Sequence, residues 1–190
     1  MPLNFNSGSG TGSATGYIRY MASTASWSDQ GDNLDFKAAI FDLANIQTGW
    51  CYIDVGVAPE WVMDDNIETR SARPEGDGWK RGFKVNIYSK AMFGDESPVR
   101  EWGTNSTGAQ LGIQALYAAW EESNPKAGTS PVVEFAGGVP TKIGKGNTNV
   151  PTLNILKFIA TPSELGGGAS PAPAPVAAPA VSNDTIDDEF

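Results

Sequence analysis

The sequence contains no histidine and only one cysteine, Cys51. It therefore lacks the commonest general base and the commonest metal ligand, and a single thiol forms neither a thiolate zinc site nor an intrachain disulfide. Cys51 stands in an apolar, strand-like run, which favours a core position over a reactive one. These absences predict a protein that is not an enzyme and that needs no metal or cofactor.

Long apolar segments are also missing. No stretch approaches the roughly 18 consecutive apolar residues of a membrane-spanning helix. The first residues, Met1 to Phe5, have neither the basic nor the apolar region of a signal peptide. We therefore expect a cytoplasmic protein that does not contact membranes.

The charges are unevenly distributed. The formal net charge is -9, from 13 basic and 22 acidic residues, which is unusual for a protein that binds nucleic acid. All 13 basic residues precede residue 165 and four of the acids follow it, so the part before the tail carries 13 minus 18, or -5. Residues 70–90 hold six basic residues against two acids, and residues 136–163 hold three lysines and no acid. This segregation predicts one basic face on an acidic protein, although scattered, solvated charge is the alternative.

Composition divides the chain into four parts. Residues 1–15, rich in Gly and Ser, predict a flexible arm, and residues 165–181, rich in Gly, Pro and Ala, predict a linker. Residues 182–190 are acidic, carry no basic residue and end on Phe190. Because the linker and the tip have too little apolar surface to offset their ordering entropy, we expect a disordered C-terminal tail. The remaining residues, 16–164, are long enough for one folded domain.

Apolar patterns within this domain are mostly those of strands. Strands are predicted at 16–23, 34–43, 48–57, 59–64, 79–92, 131–136 and 152–160. The second and third are expected to form a hairpin around Ala44 to Gln47, and a bulge is considered at Gly82. Residues 65–78 and 137–149 are predicted to be loops. Asp64 and Asp65 are interpreted as a solvated strand end rather than a magnesium site, because adjacent carboxylates on a strand point to opposite sides.

One helix is predicted after residues 104–106, which offer N-cap side chains. Leu111, Ala115, Leu116, Ala119 and Trp120 form an apolar stripe at helical spacing, and Pro125 and Gly128 end the helix. The order β-β-β-α-β-β is typical of the OB-fold, a small, partly open barrel. The predicted fold is therefore mainly β, an OB-fold-like five-stranded barrel with one helix.

A candidate binding surface lies in residues 79–92. Alternation puts Lys80, Lys84, Tyr88 and Lys90 on one face, and Phe83, Val85 and Ile87 on the other. Cations interleaved with aromatic rings suit single-stranded nucleic acid, because lysines contact phosphates and rings stack on any base. The full set of candidate DNA-binding residues is Tyr17, Arg19, Tyr20, Arg70, Arg73, Trp79, Lys80, Lys84, Tyr88, Lys90, Lys142 and Lys145. Core packing for the rings and loop solubility for the arginines are the alternatives.

The tail gives the most specific signal. Its Gly/Pro/Ala linker is followed by Asp184-Thr-Ile-Asp-Asp-Glu-Phe190, in which Asp184, Asp187, Asp188, Glu189 and Phe190 are candidate partner-binding residues. This arrangement resembles the phage-type single-stranded DNA-binding proteins, in which one OB domain precedes an acidic tail ending in Phe. Glu189 stands where bacterial members of that class have proline.

The resemblance implies a function in phage DNA replication, recombination and repair, in the host cytoplasm. It implies sequence-independent coating of single-stranded DNA. The tail would recruit a polymerase, helicase or primase and would compete with DNA for the basic groove. A homo-oligomer is possible.

Three alternatives remain. A phage structural or accessory protein would also combine β-rich architecture with an acidic tail. An acidic DNA-mimic inhibitor would use its carboxylates as the functional face. An enzyme working through carboxylates alone is the third, with no recognisable constellation to support it.

Overall fold

The computed structural model describes residue 14, residues 16–54 and residues 58–166. The described chain is mainly β, as predicted, and its ten strands belong to a single sheet that is not closed. The acidic tail, nearly all of the linker and most of the N-terminal arm lie outside the described residues, so those predictions stay predictions.

The strands are β1 (Tyr17–Met21), β2 (Ser26–Asp29), β3 (Asp32–Leu34), β4 (Ala38–Phe41), β5 (Gln47–Tyr52), β6 (Glu60–Met63), β7 (Lys80–Tyr88), β8 (Val99–Thr104), β9 (Thr129–Ile143) and β10 (Gly146–Ala160). The α-helices are α1 (Lys90–Phe93) and α2 (Thr107–Glu122). Two 3₁₀ turns lie at Leu43–Asn45 and Ser163–Leu165. None of the helices in the described ranges is long and apolar enough to cross a membrane.

The strands follow one another across the sheet in the order β10-β9-β4-β7-β8-β1-β2-β3, with β5 beside β7 and β6 beside β5. All of these pairs are antiparallel except β1 with β8, which is parallel. The sheet is therefore larger than the predicted five-stranded barrel, and the described chain has two α-helices rather than one. Strands β2 and β8 were not predicted, because Trp27 and Trp102 flank turn-like residues in the sequence and gave no clear strand pattern.

The predicted hairpin between residues 34–43 and 48–57 is wrong. β4 and β5 both pair antiparallel with β7, so they run in the same direction as one interrupted strand. The 3₁₀ turn at Leu43–Asn45 lies between them and shifts the chain without reversing it. Asp42 accepts two hydrogen bonds from Asn45 Nδ2, both 3.0 Å long, which fixes this turn.

Aromatic residues dominate the core. The ring of Trp27 lies 4.6 Å from Phe36, 4.8 Å from Trp102 and 5.1 Å from Tyr20, measured between centroids. Residues 18 and 20 of β1 and residues 83, 85 and 87 of β7 point into this core because strand side chains alternate. We call the opposite side of these strands the outer face.

Helix α2 was predicted correctly, but not the face that it buries. Gly108, Ala109, Gly112, Ile113 and Leu116 are buried, whereas Leu111 of the predicted stripe is 39% exposed. A Cβ on Gly112 would come within 2.5 Å of Pro151 Cγ, and one on Gly108 within 2.5 Å of Thr148 Oγ1. The helix therefore approaches β10 through its two glycines, a contact that an apolar stripe does not reveal.

The predicted loop at 137–149 is also wrong. β9 and β10 pair from Thr129–Ala160 to Ile143–Gly146, with register shifts between Pro151 and Leu153 and between Ile155 and Lys157. Gly144 is in the left-handed region (φ 57°) at the two-residue turn. Backbone pairing overrides the polar, glycine-rich composition of this segment. Near the middle of the ribbon, Asn149 N donates to Ala22 O over 2.9 Å, which brings β10 against the end of β1 without a strand ladder.

Candidate nucleic-acid interface

The outer face of β7 carries the predicted basic residues. The register of β7 with β5 is regular through Gly82, so the bulge considered there does not form. Lys80, Gly82 and Lys84 consequently share the outer face, while Phe83, Val85 and Ile87 are buried. The sequence pattern thus predicted the orientation of this strand correctly.

Neighbouring strands add further residues to the outer face. Lys84 is opposite Gly103 of β8, and Glu101 of the same strand is opposite Tyr17 of β1. Tyr17 is 51% exposed and Arg19 is exposed beside it. On the other side of β7, Cys51 of β5 pairs with Lys80 and with Trp61 of β6. One continuous surface therefore joins Trp61 to Arg19 across five strands.

Trp61 lies across this surface on a floor of glycines. A Cβ on Gly82 would meet Trp61 Cη2 at 3.0 Å, and a Cβ on Gly103 would meet Trp61 Cζ2 at 3.4 Å. The indole thus reaches from β6 over β5 and β7 to β8, and it remains partly exposed. Residues 59–64 were predicted as a strand, but Trp61 was not a predicted site residue, since no basic residue is near it in sequence.

Lys84 connects the ring to the charges of the outer face. Its Nζ lies 5.1 Å from the centroid of Trp61 and 3.0 Å from Glu101 Oε1. Lys84 also acts on the buried thiol of Cys51. Burial raises the pKa of this thiol to about 11, and the positive charge of Lys84 lowers it by a smaller amount. A cation, an aromatic ring and two glycines therefore occupy one small area.

Arg70 and Arg73 form a separate cluster on the face of the sheet opposite to the outer face. Trp50 is opposite Arg81 in the β5–β7 ladder, and both point away from the outer face. The guanidinium carbons of Arg70, Arg81 and Arg73 lie 4.8, 5.3 and 6.0 Å from the ring of Trp50. The structure therefore does not bring these loop arginines together with Lys80 and Lys84.

Asp64 anchors this arginine cluster. Its side chain is only 2% exposed and forms a two-point ion pair with Arg81, through Nη1 over 2.9 Å and through Nη2. Thr48 Oγ1 donates to it over 2.6 Å, and Ser71 donates through both N and Oγ. The Arg81 guanidinium holds the pKa of the Asp64 carboxyl far below its ordinary range. Asp64 is thus a buried structural carboxylate, not the solvated strand end predicted.

A cleft of about 530 Å³ adjoins the arginine cluster, between α2 and residues 67–70. Arg70, Arg81, Gln110 and Glu121 contribute polar groups, and the cleft also contains apolar side chains. Gln110 Nε2 donates to Arg81 O over 2.9 Å, so one wall of the cleft is fixed to β7.

The remaining predicted residues are dispersed. Tyr20 is 3% exposed and packs in the core, so it does not share the exposed surface of Tyr17. Trp79 lies beside Tyr52 at 5.7 Å. Tyr88 ends β7, and Lys90 lies beyond it as the first residue of α1, so the predicted strand alternation does not extend to Lys90. Lys90 Nζ is 3.9 Å from Glu164 Oε1. Lys142 and Lys145 are exposed at the tip of the β9–β10 ribbon.

No group of three or more His, Cys, Asp or Glu side chains in the described part of the chain is placed to hold a metal ion. Comparisons with protein-family models, curated proteins and solved structures find no match to this chain.

Proposed function

We propose that this protein binds single-stranded DNA, largely independently of base sequence, across the outer face from Trp61 to Arg19. In this proposal it coats DNA during phage replication, recombination and repair in the host cytoplasm. The observation that carries the proposal is the partly exposed Trp61 ring lying on Gly82 and Gly103 with Lys84 beside it. A ring on a smooth floor offers a stacking platform, and the adjacent ammonium group suits a phosphate.

The strand order supports an OB-type core within the larger sheet. The path β10-β9-β4-β7-β8, with α2 between β8 and β9, corresponds to the open form of the OB order 5-4-1-2-3. On this correspondence β7 and β8 are the second and third OB strands, whose face binds oligonucleotides in that fold. The Lys142–Lys145 ribbon tip would be the loop between the fourth and fifth strands, which also contacts nucleic acid there. Strand β1 would be an addition beside the third strand.

The acidic tip completes the proposal. Asp184, Asp187, Asp188 and Glu189 with the terminal carboxylate offer a polyanion on the same chain. Such a segment competes with DNA at high effective concentration and becomes available to a polymerase, helicase or primase when DNA displaces it.

Fluorescence titration of the full chain with oligo-dT at several salt concentrations tests the proposal. We expect quenching by base stacking, a steep loss of affinity with salt, and little response to duplex DNA. Trp61→Ala should lose about 5- to 150-fold in affinity, the range of about 1–3 kcal/mol for one stacked base. Trp120→Phe on α2 is the matched control, because Trp120 is not on the outer face and should leave the affinity unchanged.

Absence of binding at low salt, in the full chain and in a chain lacking residues 182–190, would overturn the proposal. The virion-protein and DNA-mimic alternatives would then take its place. A binding curve that Trp61→Ala does not change would reject the outer face as the DNA site.

A further inference from the structure

One acidic side chain lies within the proposed DNA surface. Glu101 on β8 is opposite Tyr17 and forms an ion pair with Lys84, with Nζ at 3.0 Å from Oε1 and 3.3 Å from Oε2. The Glu101 side chain is 37% exposed. A carboxylate repels phosphate, so its presence at the centre of a surface proposed to bind a polyanion calls for a chemical explanation.

Glu101 and Trp61 both border the space above Gly103. The Cβ position of Gly103 lies 3.4 Å from Trp61 Cζ2, 3.5 Å from Glu101 Oε1 and 3.5 Å from Lys84 Cγ. A ring, a carboxylate oxygen and the aliphatic part of a lysine thus border the same small space. A base stacked on Trp61 would have its edge near the carboxylate of Glu101.

We propose that Glu101 is a specificity-determining residue that favours bases with an exocyclic amino group over thymine. An ionised carboxylate only accepts hydrogen bonds, and it has about four lone-pair sites, so pairing with Lys84 leaves capacity for a base. Cytosine N4 is a donor that glutamate recognises. At the position of the cytosine amino group, thymine has the O4 acceptor, which a carboxylate repels, so the only donor on that edge of thymine is the ring N3–H between two carbonyl groups. This inference rests on the proposed function, because it assumes that DNA occupies the outer face.

The arrangement also explains why Lys84 and Glu101 are paired. A phosphate that attracts Lys84 would draw its ammonium group away from the carboxylate, and this would free a Glu101 oxygen for the base edge. Binding of the backbone and reading of the base would then occur together. The preference is confined to the one nucleotide beside Trp61, so the rest of the strand remains bound without regard to sequence.

Titration of the full chain and of Glu101→Gln with oligo-dC and oligo-dT of equal length, at pH 8, tests the proposal. The side-chain amide of Gln both donates and accepts, so it accommodates either base. We expect the ratio of dC to dT affinity to fall about fivefold in Glu101→Gln, the lower end of the discrimination that a bidentate side-chain contact to a base gives. Using the change in the ratio removes any intrinsic difference between the two oligonucleotides.

Glu122→Gln, on the exposed end of α2, is the control for the lost negative charge and should leave the ratio unchanged. Glu101→Ala should lower the ratio as well, and circular dichroism establishes that each variant is folded. An unchanged ratio in folded Glu101→Gln, with both oligonucleotides still bound, would overturn this inference and leave the proposed function intact. Failure of the wild-type chain to bind either oligonucleotide would overturn both.

Discussion

The indole of Trp61 packs on the backbone of Gly82, two strands away in the sheet, at a distance that leaves no room for a side chain. A Cβ on Gly82 would lie 3.0 Å from Trp61 Cη2 and 2.6 Å from the carbonyl oxygen of Thr104. The position of the ring therefore depends on a glycine that is 21 residues further along the chain.

Gly82→Ala should displace Trp61 and lower affinity for oligo-dT by about tenfold, within the range for loss of one stacked base. Gly103→Ala, whose new Cβ would lie 3.4 Å from the same ring, should displace the ring less and lower the affinity less. Tryptophan emission reports whether the ring has moved, and titration with oligo-dT gives the affinity of each variant. Equal affinities for the wild type and folded Gly82→Ala would show that the ring position is irrelevant to binding.

Neutralising Lys80 and Lys84 should weaken binding and reduce its salt dependence. Each phosphate contact contributes about 0.7 to the slope of log affinity against log salt on single strands, so Lys80→Gln/Lys84→Gln should reduce it by about 1.4. Lys37→Gln/Lys126→Gln removes the same charge from exposed positions elsewhere. If the protein is a DNA mimic or a virion protein, neither pair of substitutions should affect its function. Equal losses of DNA affinity from both pairs would indicate nonspecific electrostatic attraction.

Asp64→Asn should destabilise the fold by about 2–3 kcal/mol, because it leaves the Arg81 guanidinium without its buried partner. The lowered pKa of Asp64 also determines the sign of the pH effect. A carboxyl with a lower pKa in the folded state stabilises the fold fully above its unfolded pKa, near 4, and this contribution is lost as pH falls below that value.

Urea denaturation between about pH 7 and pH 2 measures this effect. The difference in unfolding free energy between wild type and Asp64→Asn should be constant above about pH 5 and should shrink in more acidic solution. Glu122→Asn removes an exposed carboxyl and serves as the comparison. A difference that grows on acidification would contradict the assignment of Asp64 as an ionised partner of Arg81.

Gly112→Ala should destabilise the protein although alanine is the better helix former by about 1 kcal/mol. The new methyl group would overlap Pro151, whose Cγ and carbonyl oxygen are 2.5 and 2.7 Å from the Cβ position. Ala115→Gly, at an exposed site on the same helix, gives the pure propensity effect. Thermal denaturation should show lower melting temperatures for both variants, and a more stable Gly112→Ala would contradict the close contact between α2 and β10.

Deleting residues 182–190 should raise affinity for oligo-dT several-fold at low salt, and less at high salt, because it removes a tethered polyanion. A chain of full length with Asp184, Asp187, Asp188 and Glu189 changed to their amides should behave like the deletion. An unchanged affinity in both would leave partner recruitment as the tail's role.

Local sequence was sufficient for features that depend on strand periodicity. Lys80 and Lys84 on one face of β7, with Phe83 and Val85 on the other, follow from alternation alone. Tyr17 and Tyr20 differ in exposure for the same reason, since they are three residues apart and face opposite sides, so Tyr20 was wrong as a DNA-binding candidate beside Tyr17.

Features that depend on register were beyond such patterns. Trp61 acquires its platform from Gly82 and Gly103, and only the pairing of β6, β5, β7 and β8 brings these residues together. The buried face of α2 is determined by Gly108 and Gly112, because these glycines allow β10 to approach the helix closely. The β9–β10 ribbon forms through backbone hydrogen bonds, which a glycine- and lysine-rich composition does not reveal.

The chain's only thiol gives this sheet a built-in chemical probe. Cys51 lies on β5, the strand that the Trp61 ring must cross, it is fully enclosed, and its pKa of about 11 leaves almost no reactive thiolate at neutral pH. Alkylating reagents should therefore modify it only when the strands around Cys51 open. The labelling rate would then report how often this part of the sheet opens. A cysteine introduced elsewhere could be labelled with a dye while Cys51 stays unmodified.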